Sequence, residues 1–281
     1  MANKFGKHID KTFLSIDQAE ARGFIHRDYI AHCFRWSHVV KELTRGAAYK
    51  TARILDVGCG RLMPMGTMLH SSRLAPAYYC GVEFGPVERS NKSVATTLRS
   101  PTFSCDIWDN TDIRQFEMDE GEELFNVVTC FEVLEHMEPA MVLETLQVIK
   151  KCCTPDARIF ISTPCFNGKA AANHVNEMKF DALAAVFNQE GFAIRDQYGT
   201  FASISDYQMS LNEHEQHVFT RLRDYYDVNV LACIFAPLHA SKSRNVLWEL
   251  QVSTEVEPNG CVPFGLEPWS SSELWKELKR G

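Results

Sequence analysis

The sequence predicts an α/β protein with a doubly wound, mostly parallel sheet of seven strands, an N-terminal helical layer and a helical insertion before the last strand. Three observations support this fold class. Short apolar runs alternate with helix-compatible segments, which is typical of parallel strands joined by crossover helices. The run ILDVGCG at residues 54–60 ends in glycines, as a buried strand entering a tight turn does. Hydrophobic residues make up 45% of the 281 positions, which is enough for a full core.

The individual elements follow from periodicity along the chain. Apolar residues recur at helical spacing over residues 20–45, which predicts a helix ahead of the sheet. Residues 139–151 and 179–190 are also compatible with helices and lie between predicted strands. The predicted strands are the runs ARILDVGCG, AYYCGVEF, FSCDIW, FNVVTCF, ARIFIST, FAIRDQY and NVLWELQV.

This pattern divides the chain into three segments. Residues 1–50 are predicted to form a helical cap, and residues 51–252 a cofactor-binding domain that contains the helical insertion at residues 206–242. Residues 253–281 form a C-terminal tail with two tryptophans, to which the sequence assigns no place in the fold.

Composition limits the classes of partner. The chain has 29 basic and 36 acidic residues, and the formal net charge of −7 makes duplex DNA an unfavourable ligand because such binding relies on Lys and Arg. The 10 cysteines are scattered without a C-x-x-C pair, so they match neither a zinc site nor a disulfide framework. The first residues are charged and no run of about 18 apolar residues occurs, so we expect no membrane span and a cytoplasmic protein.

The strongest motif is ILDVGCG. Gly58 and Gly60 let the backbone turn sharply and approach a ligand at the carboxyl edge of the sheet. Glu83 ends the second strand, where it can accept hydrogen bonds from ribose hydroxyls. A dinucleotide site would need a third glycine where Met63 stands, and Asp56 would repel a pyrophosphate. S-adenosylmethionine, which carries an ammonium and a sulfonium, suits these residues better.

These motifs, with an acidic residue in the third-strand loop (CDIWD) and FEVLEH after the fourth strand, resemble the class I S-adenosylmethionine-dependent methyltransferases over roughly residues 50–200. The resemblance implies a Rossmann-like fold. One departure is Leu62, where many members of the family have a further glycine. The cofactor contacts that the resemblance implies are Asp56, Gly58 and Gly60 around the methionine moiety, Glu83 on the ribose, Asp106 and Ile107 near adenine, and Phe131 lining the site.

The segment FEVLEHM at residues 131–137 carries Glu132, Glu135 and His136 beside the predicted cofactor. Methyl transfer to a hydroxyl needs alignment and removal of a proton, and histidine readily accepts a proton near neutral pH. A second histidine, His174, follows STP on a loop that should cross the same edge of the sheet. We therefore predict catalytic roles for His136, His174 and Glu132.

Two groups of methyltransferases resemble this arrangement. Ubiquinone-pathway and polysaccharide-linked O-methyltransferases carry a similar E-V-L-E-H, S-T-P and H-x-x-E, whereas small-RNA 3′-terminal 2′-O-methyltransferases share E-x-x-E-H and a following histidine. The second resemblance implies a divalent metal, either manganese, iron or zinc and less ideally magnesium, held by Glu132, Glu135, His136 and His174. Two interpretations without a metal stay open, in which a histidine is a metal-free base or these side chains only stabilise the fold.

The acceptor pocket is predicted to form from the N-terminal helix, the loop at residues 165–178 and the insertion. Tyr29, Arg35 and Trp36 are candidate substrate contacts because they can stack on a ring and pair with an anion, although aromatic residues at helical spacing also serve packing. Cys165 follows the fifth strand and not the fourth, which argues against a nucleophile of the kind that cytosine-C5 methyltransferases use.

The leading hypothesis is a methyltransferase that acts on an oxygen of a small molecule, and the alternative is a metal-assisted RNA ribose 2′-O-methyltransferase. The acidic net charge favours the first, and the Glu/Glu/His/His set favours the second. Two other classes predict different behaviour. A non-catalytic nucleotide-binding module needs none of the polar groups at residues 132–136, and a nicotinamide oxidoreductase would bind a dinucleotide.

Overall fold

Seven strands form one sheet, which confirms the fold class that the sequence predicts. The computed structural model describes residues 27–168, 170–201, 211–226 and 228–253. Across this part of the chain the strand order is β3-β2-β1-β4-β5-β7-β6. The strands are β1 (Arg53–Val57), β2 (Tyr78–Glu83), β3 (Cys105–Asp109), β4 (Phe125–Phe131), β5 (Cys153–Pro164), β6 (Phe192–Phe201) and β7 (Asn245–Val252).

Helices connect most of the strands. Short 3₁₀ helices supplement them, among them Leu134–His136 directly after β4. The α-helices within the described ranges are α1 (Arg27–Thr44), α2 (Pro64–Ser71), α3 (Lys92–Leu98), α4 (Pro139–Cys152), α5 (Phe180–Gln189), α6 (Glu213–Leu222) and α7 (Val228–Phe235).

The topology places the ligand edge of the sheet at the glycine turn. Strand β1 pairs in parallel with β2 on one side and with β4 on the other, so the strand order reverses at β1. Strand β7 is antiparallel to both β5 and β6. In open α/β sheets, ligands bind outside the carboxyl ends of the strands at such a reversal. Here that position lies between residues 58–60 and FEVLEHM.

Helices cover both faces of the sheet, as a doubly wound fold requires. Trp36, Val39 and Leu43 of α1 are buried in one cluster with Ile54 and Phe160. On the other face, α4 and α5 bury their apolar sides in a cluster that includes Trp248. Burial of this apolar surface is the main stabilising term for the sheet. The N-terminal helix is therefore part of one of the two main cores.

The predicted helical insertion before β7 is present as α6 and α7. Phe219 of α6 and Leu231 and Phe235 of α7 form a third buried cluster, to which Ala31 of α1 also belongs. The insertion is thereby packed on the N-terminal helix.

Parts of the predicted segments lie outside the described residues: 1–26 of the cap, 206–210 and 227 of the insertion and 254–281 of the tail. The predicted domain boundaries stay predictions. Among the helices that the structure describes, none combines the length and the apolar character needed to cross a membrane.

Candidate functional site

Two glycines in the left-handed region shape the turn after β1. Gly58 has φ +66° and Gly60 has φ +76°. The N–H groups of Gly58 and Cys59 both donate to the carbonyl of Val82, at 2.8 and 3.1 Å. A Cβ atom on Gly58 would lie only 2.3 Å from Cγ2 of Val133. The turn is therefore closed against β2 on one side and against the segment after β4 on the other.

Glu83, at the carboxyl end of β2, is held by backbone groups. Its Oε2 accepts the N–H of Gly60 at 2.7 Å, and its Oε1 accepts the N–H of Gly85 at 3.2 Å. The next residue, Phe84, is 78% exposed. An exposed aromatic ring thus follows directly after Glu83, the residue predicted to bind the ribose. Phe84 was not among the predicted site residues, although the motif YYCGVEF ends with it.

Asp56 lies beneath the glycine turn and faces the interior of the sheet. Its Oδ1 accepts a hydrogen bond from Thr129 Oγ1 at 2.7 Å, and its Oδ2 accepts one from the hydroxyl of Tyr79. The side chain is nearly fully buried. Burial raises the pKa of Asp56 to about 6, although the two hydroxyl donors oppose the shift. Asp56 thus supports the turn from within the sheet.

Met63 takes the position where a dinucleotide motif would have its third glycine. Its φ is +48°, a conformation that side chains rarely adopt, and Met63 precedes the first residue of α2. A Cβ on Gly66 would come within 2.8 Å of Met63 Cε. Gly66 therefore makes room for the buried methionine, which fills the space behind the turn.

The acidic residue predicted in the third-strand loop, Asp106, lies within β3. It pairs in register with Cys80 and accepts a hydrogen bond from the Tyr78 hydroxyl at 2.9 Å, at the amino end of β2. Its placement in the loop is therefore wrong, because β3 continues to Asp109. Asp109 pairs with Glu83 at the carboxyl edge, and our sequence analysis did not single it out although CDIWD contains it.

Ile107 and Phe131 lie on the two strands that flank the pair β1–β2. Ile107 belongs to β3, next to β2, and Phe131 belongs to β4, next to β1. The Cδ1 atom of Ile107 is 2.9 Å from the position that a Cβ on Gly81 would occupy. Phe131 ends β4 and is half-buried against the cluster under α1. Both side chains therefore contribute apolar surface on the α1 side of the sheet.

Glu132 is held by side chains from three distant elements. Its Oε1 accepts hydrogen bonds from Arg35 Nη1 at 3.0 Å and Ser162 Oγ at 3.1 Å, and its Oε2 accepts one from Asn245 Nδ2 at 2.9 Å. Its φ of +57° is strained for a residue with a side chain, by about 1 kcal/mol. Helix α1, β5 and β7 thus converge on one carboxylate at the end of β4.

Glu135, His136 and His174 form a compact group, in which one potential ligand atom of each lies within 4.8 Å of the others. The two imidazole rings are nearly perpendicular, with centroids 5.0 Å apart. Burial, together with the nearby Glu132, raises the pKa of the Glu135 carboxyl well above its usual range. Glu132 is outside this group. The structure therefore brings together three of the four predicted metal ligands.

The donor set of this group fits a divalent ion. Two imidazoles and one carboxylate are ligands of zinc, manganese and iron sites, whereas magnesium prefers an all-oxygen shell. The Nδ1 atom of His136 lies 3.1 Å from the carbonyl oxygen of Asn173, and His174 Nδ1 lies 2.5 Å from Glu177 Oε1. Each imidazole is thus anchored through Nδ1.

Glu177 is fully buried behind His174. Burial alone would raise the pKa of its carboxyl, but hydrogen bonds from His174 and Arg244 outweigh burial and hold the pKa below its usual range. Glu177 therefore stays an anion. The H-x-x-E pattern in the sequence was the only signal for this contact.

Comparison with known proteins identifies the family and the fold of the chain. A family model described as a methyltransferase domain matches residues 29–197, which is more than half of the chain. The chain belongs to this methyltransferase family. It is an S-adenosylmethionine-dependent enzyme of class I, which confirms the resemblance seen in its motifs.

Individual relatives of the methyltransferase are more distant. It is 33% identical over 125 residues to a ubiquinone biosynthesis O-methyltransferase of Hahella chejuensis (strain KCTC 2396), a match that covers 44% of this chain and 48% of that protein. The chain thus spans about half the length of this curated relative.

Two solved structures share the fold at low identity. Magnesium protoporphyrin IX methyltransferase from Synechocystis PCC 6803, with bound S-adenosylhomocysteine, has a TM-score of 0.54 and 12% identity, with 86% of this chain and 89% of that chain covered. Small RNA methyltransferase HEN1 has a TM-score of 0.52 and 15% identity, with 85% of this chain and 27% of that chain covered.

The predicted substrate contacts of the methyltransferase have different surroundings. Arg35 is 1% exposed, and its guanidinium forms an ion pair with Glu132. Its contact with the site is therefore made through the Glu132 carboxylate. Trp36 is 5% exposed and packs in the core under α1. Tyr29 belongs to α1, and its side chain is outside the described part of the structure.

Cys165 is buried where β5 ends. Its N–H donates to the carbonyl of Arg244 at 2.6 Å, and burial raises the pKa of its thiol to about 12. A thiol with so high a pKa is a poor nucleophile. This agrees with the prediction that Cys165 is not the nucleophile of the methyltransferase.

Proposed function

We propose that this methyltransferase acts on an oxygen of a small-molecule acceptor. The observation that carries the proposal is the pair of imidazoles, His136 and His174, which lie on the same sheet edge as the glycine turn. A hydroxyl must lose its proton when it is methylated, and a positioned base typically adds about 10²–10⁴-fold in rate. The 33% identity to an O-methyltransferase over 125 residues supports an oxygen acceptor.

We assign the cofactor to the edge formed by β1, β2 and β3. The turn at Gly58 and Gly60 receives the methionine moiety, and Glu83 binds the ribose while its oxygens keep their backbone donors. Phe131 lines the site from β4. The adenine then lies between Phe84 and the end of β3, at Asp109 and not at Asp106, because β3 reaches the edge at Asp109. Ile107 contributes apolar surface there.

In this arrangement S-adenosylmethionine supplies the methyl group on a positively charged sulfur. His136, whose side chain is 43% exposed, is accessible to an acceptor and takes the hydroxyl proton on Nε2. His174, the other imidazole of the pair, offers a second ring nitrogen that can accept this proton. Glu132 supports the site by fixing the chain after β4 through Arg35 and Asn245. Alignment of the reacting atoms contributes several kcal/mol, typically about 7 or more in well-oriented reactions.

A second candidate is metal-assisted methylation of an RNA ribose, which the grouping of Glu135, His136 and His174 favours. A divalent ion held by these three residues would lower the pKa of a ribose hydroxyl and orient it. Glu132 is not part of the ligand set in this candidate, because its oxygens are bound by Arg35, Ser162 and Asn245.

Transfer of labelled methyl from S-adenosylmethionine into a cell extract separates the two candidates. The extract is divided into small-molecule, RNA, DNA and protein fractions, with and without a chelator. We expect chelator-resistant label in the small-molecule fraction. Label in RNA that disappears with the chelator would instead support the metal-assisted candidate and overturn the proposal.

Histidine variants test the proposed base in the same assay. His136→Ala/His174→Ala should reduce transfer by about 10²-fold or more while affinity for S-adenosylhomocysteine changes by less than about threefold. His70→Ala, in the last turn of α2, is the matched control and should transfer like the wild type. Full transfer by the double variant would exclude the imidazoles as the base.

A further inference from the structure

A buried carboxylate that the proposed reaction does not use, Glu177, lies directly behind His174. Its Oε1 accepts three hydrogen bonds, from His174 Nδ1 at 2.5 Å, Arg244 Nη2 at 2.7 Å and the N–H of Ala171 at 3.2 Å. A carboxylate oxygen only accepts, so Nδ1 of His174 must carry the proton. The Nε2 atom of the neutral ring is then an acceptor.

Arg244, the residue before β7, ties the two ends of the 165–178 loop together. Its Nη1 donates to the carbonyl of Cys165 at 2.5 Å, and its Nη2 donates to Glu177 near the other end of the loop. The N–H of Phe166 also donates to the carbonyl of Met178, at 2.8 Å. The loop is thus closed at its base, and one guanidinium spans the closure.

Backbone hydrogen bonds also hold this loop against the FEVLEHM segment. The N–H groups of Val175 and Asn176 donate to the carbonyl of Glu135, at 2.9 and 3.1 Å. The backbone next to His174 therefore cannot move relative to Glu135 without breaking these hydrogen bonds, and the His174 side chain cannot rotate without breaking its contact with Glu177.

We propose that Glu177 and Arg244 are positioning residues of the methyltransferase. Glu177 holds His174 in the tautomer with the proton on Nδ1, so that Nε2 is the ring nitrogen that can accept a proton, and Arg244 holds Glu177 and the loop in place. The inference rests on the proposed function for the consequence in catalysis, whereas the tautomer and the loop geometry are properties of the protein alone.

Heteronuclear NMR of protein labelled at its histidine nitrogens tests the tautomer without any acceptor. A chelator is present throughout, so that the signal reports on Glu177 and not on a metal, and His174→Ala assigns the resonance. We expect His174 with a protonated Nδ1 and a bare Nε2. Wild-type protein with the proton on Nε2 would overturn the proposal, whatever the variants do.

Variants test the consequence. Glu177→Gln keeps the shape of the side chain but removes its charge, and we expect a loss of the Nδ1-protonated population and about 10-fold to 100-fold slower methyl transfer into the extract fraction that the wild type labels. Affinity for S-adenosylhomocysteine should change by less than about twofold, because the cofactor edge is formed by other strands. Unchanged tautomer and transfer in Glu177→Gln would overturn the proposal.

Two further variants separate positioning from general stability. Arg244→Lys should retain more transfer than Arg244→Met, because lysine keeps a charged donor for Glu177. Glu190→Gln removes a half-buried carboxylate directly after the C-terminus of α5. This variant should transfer methyl like the wild type. If His136→Ala/His174→Ala transfers methyl normally, the proposed imidazole base fails, but a loss of the Nδ1-protonated population of His174 in Glu177→Gln would still support the positioning role.

Discussion

The carboxyl edge of the sheet has two sides that are built differently. The cofactor side, formed by the turn at residues 58–60 and Glu83, is held by the backbone N–H groups of Gly60 and Gly85. The acid–imidazole side, formed by Glu132, Glu135, His136 and His174, is held mainly by side chains. Those that hold Glu132 come from distant elements, and His174 is held by the nearby Glu177.

This difference indicates how each side responds to change. A site built from backbone groups depends on turn geometry, so a single added methyl can close it. A site built from charged side chains depends on long-range packing, so its members should be energetically coupled. The two glutamates of FEVLEHM illustrate the second case, because Glu132 has the buried Arg35 as an ion-pair partner while burial favours the neutral form of Glu135.

The largest loss of cofactor affinity is expected for Gly58→Ala. The new Cβ would lie 2.3 Å from Val133 Cγ2, and the φ of +66° disfavours any side chain. We expect a loss of affinity for S-adenosylhomocysteine of at least about 100-fold and a decrease of about 3 kcal/mol in the free energy of unfolding. Titration calorimetry and urea unfolding measure the two quantities.

Gly46→Ala is the matched control for backbone strain. Its φ is +61°, but a Cβ there would meet nothing within 4 Å. It should lose only about 1 kcal/mol of stability and no affinity. Gly58→Ala/Val133→Ala should recover part of the lost affinity, and no recovery would mean that the clash with Val133 is not what closes the turn.

On the acid–imidazole side, Arg35→Met and Glu132→Gln should each destabilise the fold by about 4 kcal/mol. Each change leaves the other charge in a buried position without this partner. The double variant should be much less unstable than the sum of the two single variants, because it removes both charges. Urea unfolding of the four proteins gives the coupling, and simple additivity would show that the two groups stabilise the fold independently.

Asp56→Asn tests the buried acid under the turn through its pH dependence. The pKa of Asp56 is raised from 3.8 to about 6, so the folded protein favours the neutral carboxyl. Its contribution to stability is therefore fully present below about pH 4 and is lost as pH rises through 6, in total about 3 kcal/mol. Asparagine does not titrate, so the stability of Asp56→Asn relative to wild type should rise by about that amount between pH 4 and 7. A pH-independent difference would mean that Asp56 titrates normally.

The two sides also differ in how far the sequence predicted them. The seven strands, Gly58, Gly60 and Glu83 could be predicted because periodicity and turn chemistry act over a few residues. The partners of Glu132 could not, since Arg35 and Asn245 lie 97 and 113 residues away in the chain. The spacing of Glu132, Glu135 and His136 in the sequence predicts that these side chains lie close together. It does not show that Glu132 forms an ion pair with an arginine far away in the chain.

The end of β3 shows a second limit. CDIWD contains two aspartates three residues apart, and periodicity alone does not show at which of them the strand ends. The pairing of Asp109 with Glu83 settles this point, because it sets the register between β2 and β3. The fold class could therefore be predicted, whereas the choice between Asp106 and Asp109 needed the structure.

The smallest effect is expected for Phe84→Ala. The ring is 78% exposed, so its removal should leave the stability of the fold unchanged. If the adenine stacks on it, affinity for S-adenosylhomocysteine should fall by about 5-fold to 10-fold, which is about 1 kcal/mol and the lower end for base–aromatic stacking. Titration calorimetry measures this, with Tyr225→Ala as a control because Tyr225 is 75% exposed and lies in the insertion.

The size of this loss relative to Gly58→Ala tests the comparison itself. If the cofactor side is built from backbone groups, the turn should dominate affinity and the exposed ring should add a small increment, because one of its faces stays in water. A loss of affinity in Phe84→Ala that equals the loss in Gly58→Ala would mean that a side chain, and not the turn, holds the cofactor. Both sides of the edge would then depend on side chains and not on backbone groups.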